Sequence, residues 1–171
     1  HKEISYPSQK KYTDIMYIGT ISEWLNFELI EKALDKYSEL RLILIGPISS
    51  SIPKSNQIIH LGSKEHGELP LFMGKADALI MPFIVNDLIL SVNPVKLYEY
   101  IFAGKPVITC NYKEINQFEK FVYAYNNDDE FLQFINELMI GNLQVKSKEK
   151  RINFLNSNSW KQRSLEISKI I

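Results

Sequence analysis

The segment Asn93-Pro94-Val95-Lys96-Leu97-Tyr98-Glu99 combines the parts of a site for an anion and a diol. Asn93 has the side chain of a helix N-cap, and Pro94 suits the first helical position. A helix starting there offers unpaired backbone N–H groups and the positive end of its dipole, which together bind an anion such as a phosphate. Lys96 adds a full charge in the first turn. A cation there is mildly unfavourable to the helix itself, so a bound anion would explain it. Glu99 follows three residues later on the same side of the helix. Its carboxylate accepts two hydroxyl hydrogen bonds at once, as a ribose diol requires. The plain alternative is an exposed Lys96–Glu99 ion pair worth under ~1 kcal/mol.

The elements that must position these groups alternate short apolar runs with amphipathic stretches, the pattern of an α/β fold with a parallel sheet. Strands are expected at Ile15–Ile18, Arg41–Ile45, Ile58–Leu61, Ala78–Met81, Val107–Thr109 and Phe121–Ala124. Helices are expected over 24–38, 66–75, Pro94–Ala103 and 128–140. From Lys146 the chain reads as helical, with a break near Asn156–Ser159, and the basic run Lys146–Arg151 as a solvated helix face. Ser49–Ser51 and Pro53 read as a plain linker. In a doubly wound, Rossmann-like sheet of order 3-2-1-4-5-6, ligands bind at the carboxyl ends of strands one and four. That nominates the turn Gly19-Thr20 and the loop Phe83–Asn93. No Gly-x-Gly-x-x-Gly follows the first strand and no Walker loop is present, so a dinucleotide cofactor is not expected.

At 171 residues the chain has the length of one domain. Twenty basic residues balance twenty acidic ones, so no global field points to nucleic acid or an anionic membrane. The single cysteine, Cys110, excludes an intrachain disulfide and ends an apolar run, which suits the core. His1, His60 and His66 are too scattered for a metal site. His60 reads as a hydrogen-bonded core or edge residue, His66 as a helix start, and Asp77 as a local turn or cap. Asn86 and Asp87 lie in the crevice loop. No apolar stretch reaches the ~18 residues of a membrane span and no signal peptide is visible, which makes the cytoplasm the default compartment. A chain beginning at His1 is read as a poorly structured lead-in or tag remnant over residues 1–13, followed by one domain over 14–171.

The stretch from Asn93 to Ile108, NPVKLYEYIFAGKPVI, resembles the signature of retaining GT-B glycosyltransferases of the group-1 type, Pro-x-Lys-Leu-x-Glu-Tyr-x-Ala-x-Gly-Lys-Pro-Val. Here Phe102-Ala103 precede Gly104 where the family pattern has Ala-x. Tyr17–Ile21 resembles the opening strand and glycine turn of the donor domain. Gly62, Glu68-Leu69-Pro70 and Ala76–Phe83 resemble its central portion, and Ser159-Trp160 with Arg163 the start of its last helix.

The resemblance implies one half of a GT-B fold that binds a nucleotide-diphosphate sugar without a metal. Glu99 would hold the ribose, and Val92, Asn93, Pro94 and Val95 with Lys96 the diphosphate. Gly19 and Thr20 would admit phosphates and sugar, and the base would lie near Gly62, Ser63 and Lys64. Ser91 stands where many members carry a second glutamate, eight residues before the first. Trp24 lies where many carry Arg and Lys, and reads as a core or a subgroup residue. The N-terminal GT-B domain is the implied partner in cis, any membrane contact at the inner face would run through it, and this half alone is expected to bind nucleotide without transferring sugar. A non-catalytic nucleotide-sugar-binding module and a GT-B nucleotide-sugar epimerase are the alternatives.

Overall fold

Short apolar runs become the strands of this chain, and glycine or proline stops β1, β2 and β4 at Gly19, Gly46 and Pro82. The computed structural model describes residues 5–7, 11–147, 149–159 and 162. Strands β1 (Thr13–Ile18), β2 (Leu40–Ile45), β3 (Ile58–His60), β4 (Ala78–Met81), β5 (Val107–Cys110) and β6 (Tyr123–Tyr125) form one parallel sheet of order β3-β2-β1-β4-β5-β6. That order is the one expected, with its reversal between β1 and β4. All residues of β2, β4 and β5 are buried, as strands covered on both faces require.

The covering helices are α1 (Phe27–Lys36), α2 (Leu69–Met73), α3 (Asp87–Leu90), α4 (Lys96–Ala103), α5 (Asp128–Met139) and α6 (Arg151–Ser157). Asn26 sets the start of α1, three residues later than expected, because its Oδ1 accepts the Leu29 amide at 3.0 Å. Trp24 therefore lies in the preceding turn, partly buried against the core. Asn127 caps α5 by accepting the Glu130 amide, and Glu130 reaches back to the Asn126 amide at 2.7 Å. These bonds hold the Glu130 carboxyl below its ordinary pKa.

Three local expectations are corrected. Phe121 and Val122 are not strand: their amides donate to Phe118 O at the end of a 3-10 turn over Lys113–Phe118, so pairing with β5 begins at Tyr123. Lys146 is not a solvated helix face, since its ammonium donates to Val122 O at 2.8 Å and α6 begins only at Arg151. Ser49 is more than linker, because its amide donates to Ile21 O at 2.8 Å. Trp160 and Arg163 lie outside the described residues.

The amino edge of the sheet is closed by a buried charge cluster. Arg41 of β2 reaches Asp14 of β1 through Nε at 2.7 Å and Nη2 at 2.9 Å, with both side chains almost wholly buried. Asp77, expected as a local cap, instead accepts the Asp14 amide at 2.7 Å from 63 residues away. Burial raises its carboxyl above the ordinary carboxylate pKa. Tyr6 donates its hydroxyl to Asp14 and packs its ring on Phe72. Tyr6 and Thr13 thus take structured positions within the lead-in expected over residues 1–13: Tyr6 because the buried Asp14 carboxylate needs donors, and Thr13 because it pairs with Leu40 at the start of β1.

Candidate functional site

The end of β1 and the middle of α4 are tied directly together. Tyr100 is fully buried, and the Ile18 amide donates to its hydroxyl oxygen at 2.8 Å. Ile18 is the last residue of β1, so this bond fixes the middle of α4 against the strand end that leads into the Gly19-Thr20 turn. Sequence reasoning missed Tyr100, because only the fold shows which backbone group its hydroxyl meets.

The turn itself is fixed by neighbours on β2 and β3. The Gly19 amide donates to Ile45 O at 2.9 Å and the Gly46 amide to Gly62 O at 3.1 Å. Gly46 has φ 139°, and a Cβ placed on it would run into the Gly19 carbonyl oxygen. Only a residue without a side chain allows the two turns to approach so closely. Gly19, Gly46 and Gly62 therefore form a row along the carboxyl edge, with Thr20 and Ser63 following the outer two.

The start of α4 differs from expectation. Its cap position is Val95, in helical conformation and without a side-chain cap, so Asn93 does not cap the helix. Pro94 is buried, and the Tyr112 hydroxyl donates to Val92 O at 3.3 Å, which pins the approach to the helix. The chain enters through tight turns: Val95 N donates to Asn93 O at 2.8 Å, Leu97 N to Pro94 O at 2.9 Å and Tyr98 N to Val95 O at 3.2 Å. The set of free donors is narrower than expected. Among the described residues, the amides of Asn93 and Lys96 are the ones at this helix start left without a partner.

Lys96 Nζ lies 2.9 Å from Glu99 Oε2, with both side chains about one-third exposed. The ion pair weighed as the plain alternative therefore forms, but half-buried rather than on an open face. It occupies one carboxylate oxygen; among the described residues the other makes no hydrogen bond.

Glu99 stands on the rim of a cavity of about 330 Å³ between α2 and α4. His66, Leu69, Pro70 and Met73 line one wall, and Tyr98, Glu99 and Phe102 the other. His66 opens a 3-10 turn just after the Gly62-Ser63 loop. Phe102 is 62% exposed, on a helix whose Leu97, Tyr100 and Ile101 are buried.

The remaining candidates have local duties. Asn86 caps α3, its Oδ1 accepting the Ile89 amide at 3.0 Å. Ser91 closes that helix by donating its hydroxyl to Leu88 O at 2.6 Å. Asp87 is exposed in its first turn. His60 on the edge strand is bonded through Nε2 to Gly46 O at 2.8 Å, as a hydrogen-bonded edge histidine should be. Cys110 is buried, and burial pushes its thiol up to about 11. Among the described residues no helix is long and apolar enough to cross a membrane.

Residues 2–154 match the family model described as glycosyl transferases group 1. The putative teichuronic acid biosynthesis glycosyltransferase TuaH of Bacillus subtilis (strain 168) is 30% identical over 155 residues, covering 84% of this chain and 39% of that protein. Among solved structures, Anabaena HepE in complex with UDP and glucose aligns with a TM-score of 0.72 at 12% identity, over 95% of this chain and 48% of that one. Sucrose-phosphate synthase from Thermosynechococcus elongatus aligns with a TM-score of 0.71 at 14% identity, over 96% and 45% of the two chains. At these identities the structural likeness is one of fold. This chain spans less than half the length of each of these relatives.

Proposed function

Because the chain belongs to the group 1 glycosyl transferases and has the fold of their C-terminal GT-B domain, we propose that it is the donor-binding half of an enzyme that moves a sugar from a nucleotide diphosphate to an acceptor. The observation that carries this is Glu99: a half-buried carboxylate at the carboxyl edge of the sheet, on the rim of a cavity, three residues after a lysine at a helix start. The ribose hydroxyls would bond its oxygens, and the diphosphate would meet Lys96 and the free amides of Asn93 and Lys96. Gly19 and Thr20 would lie against the phosphates and donor sugar, and Gly62 and Ser63 on the side of the base. Charge on the departing diphosphate would be met by Lys96 and the helix start, so no metal is required.

Transfer requires a second domain in cis that brings the acceptor to the cleft. The relative named for teichuronic acid biosynthesis supports a polysaccharide or glycolipid acceptor. The cytoplasm, or the inner face of a membrane reached through the second domain, is the compartment where nucleotide sugars would be met. A non-catalytic nucleotide-sugar-binding module has one observation in its favour. Ser91 stands where many family members carry a glutamate, and its hydroxyl is turned back onto Leu88 O.

A thermal-shift panel of UDP-, GDP-, ADP- and dTDP-sugars, with and without EDTA, tests the proposal. At a hundred times its Kd a bound donor adds about 2.7 kcal/mol, which for a domain of this size raises Tm by roughly 5–10 °C. A flat response to every nucleotide at millimolar concentration refutes donor binding, and a shift abolished by EDTA refutes metal independence. Turnover assays on the longer enzyme separate transferase from binding module.

A further inference from the structure

Lys96, Glu99 and Phe102 succeed one another at three-residue steps along α4. Three residues advance a helix by about 4.5 Å, so the three side chains form one ridge with roughly even spacing. A nucleotide also has three parts in a line, namely phosphate, ribose and base. If the first two meet Lys96 and Glu99, the third falls beside Phe102.

We infer that Phe102 is a binding residue that stacks on the nucleobase of the donor, held in the apolar cavity between α2 and α4. The inference rests on the donor-site proposal above and deepens it. Glu99 is among the residues that line the cavity, which at about 330 Å³ has room for a purine or a pyrimidine. Leu69, Pro70 and Met73 make its far wall apolar, so a base entering it meets packing surface, with His66 the polar neighbour. Phe102 is 62% exposed although its helix neighbours are buried, and its ring contributes to the cavity wall rather than to the core. A flat aromatic face beside a sugar-binding carboxylate recognises bases by stacking, which every base can provide.

The test measures UDP, ADP and ribose 5-phosphate binding by calorimetry on the wild type and on Phe102→Ala, Phe102→Trp and Glu99→Ala. Phe102→Ala should weaken UDP and ADP on the order of tenfold to a hundredfold, leave ribose 5-phosphate unchanged, and be rescued by Phe102→Trp. Because the ring is exposed, the melting temperature of the free protein should barely move. If Glu99→Ala weakens UDP and Phe102→Ala does not, the base lies elsewhere and this inference falls while the donor site stands. If the wild type binds no nucleotide, both fall. If Phe102→Ala leaves UDP affinity intact but abolishes a concentration-dependent dimer in sedimentation, the slot seats a second copy of the chain and the inference is overturned.

Discussion

The hydroxyl oxygen of Tyr100 accepts the backbone amide of Ile18 at 2.8 Å, joining the middle of α4 to the last residue of β1 across 82 positions of sequence. Both groups are buried, so the bond has no water to replace it. Burial also raises the phenol above its ordinary pKa, which keeps the hydroxyl neutral through the working pH range.

Tyr100→Phe removes the acceptor and leaves the Ile18 amide buried and unsatisfied. The expected cost is about 1–3 kcal/mol in denaturant unfolding. Nucleotide affinity should fall as well, because Glu99 is the preceding residue on the helix. Unchanged stability together with unchanged binding would show that the link has no role in placing α4.

Glu99→Ala and Lys96→Ala should separate ribose from phosphate. The first removes a charged acceptor and should weaken UDP or GDP by ~1.5–3 kcal/mol, roughly ten- to a hundredfold in affinity. The second should weaken diphosphates much more than the matching nucleoside, since the nucleoside carries no anion for the ammonium to meet. Equal losses for nucleoside and diphosphate in the lysine variant would instead indicate that it merely disturbs the helix or the Glu99 carboxylate it bonds.

Gly46→Ala places a methyl group against the Gly19 carbonyl at a backbone conformation that side chains rarely adopt. A loss of more than about 1 kcal/mol is expected, with weaker binding of nucleotide sugars because the Gly19-Thr20 turn must move. Melting curves and a UDP-sugar titration on the same variant would check both. A variant as stable as the parent would mean the two turns can separate freely.

Cys110 should resist thiol reagents in the native protein at pH 8 and react once the chain is unfolded in guanidinium. Burial pushes its native thiol up to about 11, from 9.0 for an unburied one. The unfolded thiol therefore loses its proton first as pH rises. The stability tied to it is complete below about pH 9 and is lost as pH approaches 11. The buried phenols of Tyr112 and Tyr125 shift the same way, so alkaline unfolding should begin above pH 9. Rapid labelling of the folded protein would contradict the burial.

The sheet was legible in the sequence because its signals are local. Apolar runs such as Leu42–Ile45 and Ala78–Met81 stop at Gly46 and Pro82, and helices lie between them. The Glu99 position was legible for the same reason, three residues after Lys96 on one helix side. What failed was decided by contacts that no local apolar pattern announces, some distant in sequence and some within a single turn. Asn93-Pro94 carries a good local cap signal, but burial of Pro94 and the Tyr112 tether on Val92 send the chain into tighter turns and delay α4. Phe121 and Val122 are as apolar as a strand, yet their amides are already used by Phe118. The four-residue α3 is too short to show a period, and nothing near Asp14 announces that Arg41 lies against it.

Asp14 and Ile18 stand at opposite ends of β1, roughly 13 Å apart at the rise of an extended strand. The ionic lock between Asp14 and Arg41 and the loops at the carboxyl edge of the sheet therefore occupy different ends of the molecule. Loops such as Phe83–Asn93 can accumulate substitutions without loosening that lock. A scaffold partitioned in this way can exchange its carboxyl-edge loops while its strands are inherited unchanged.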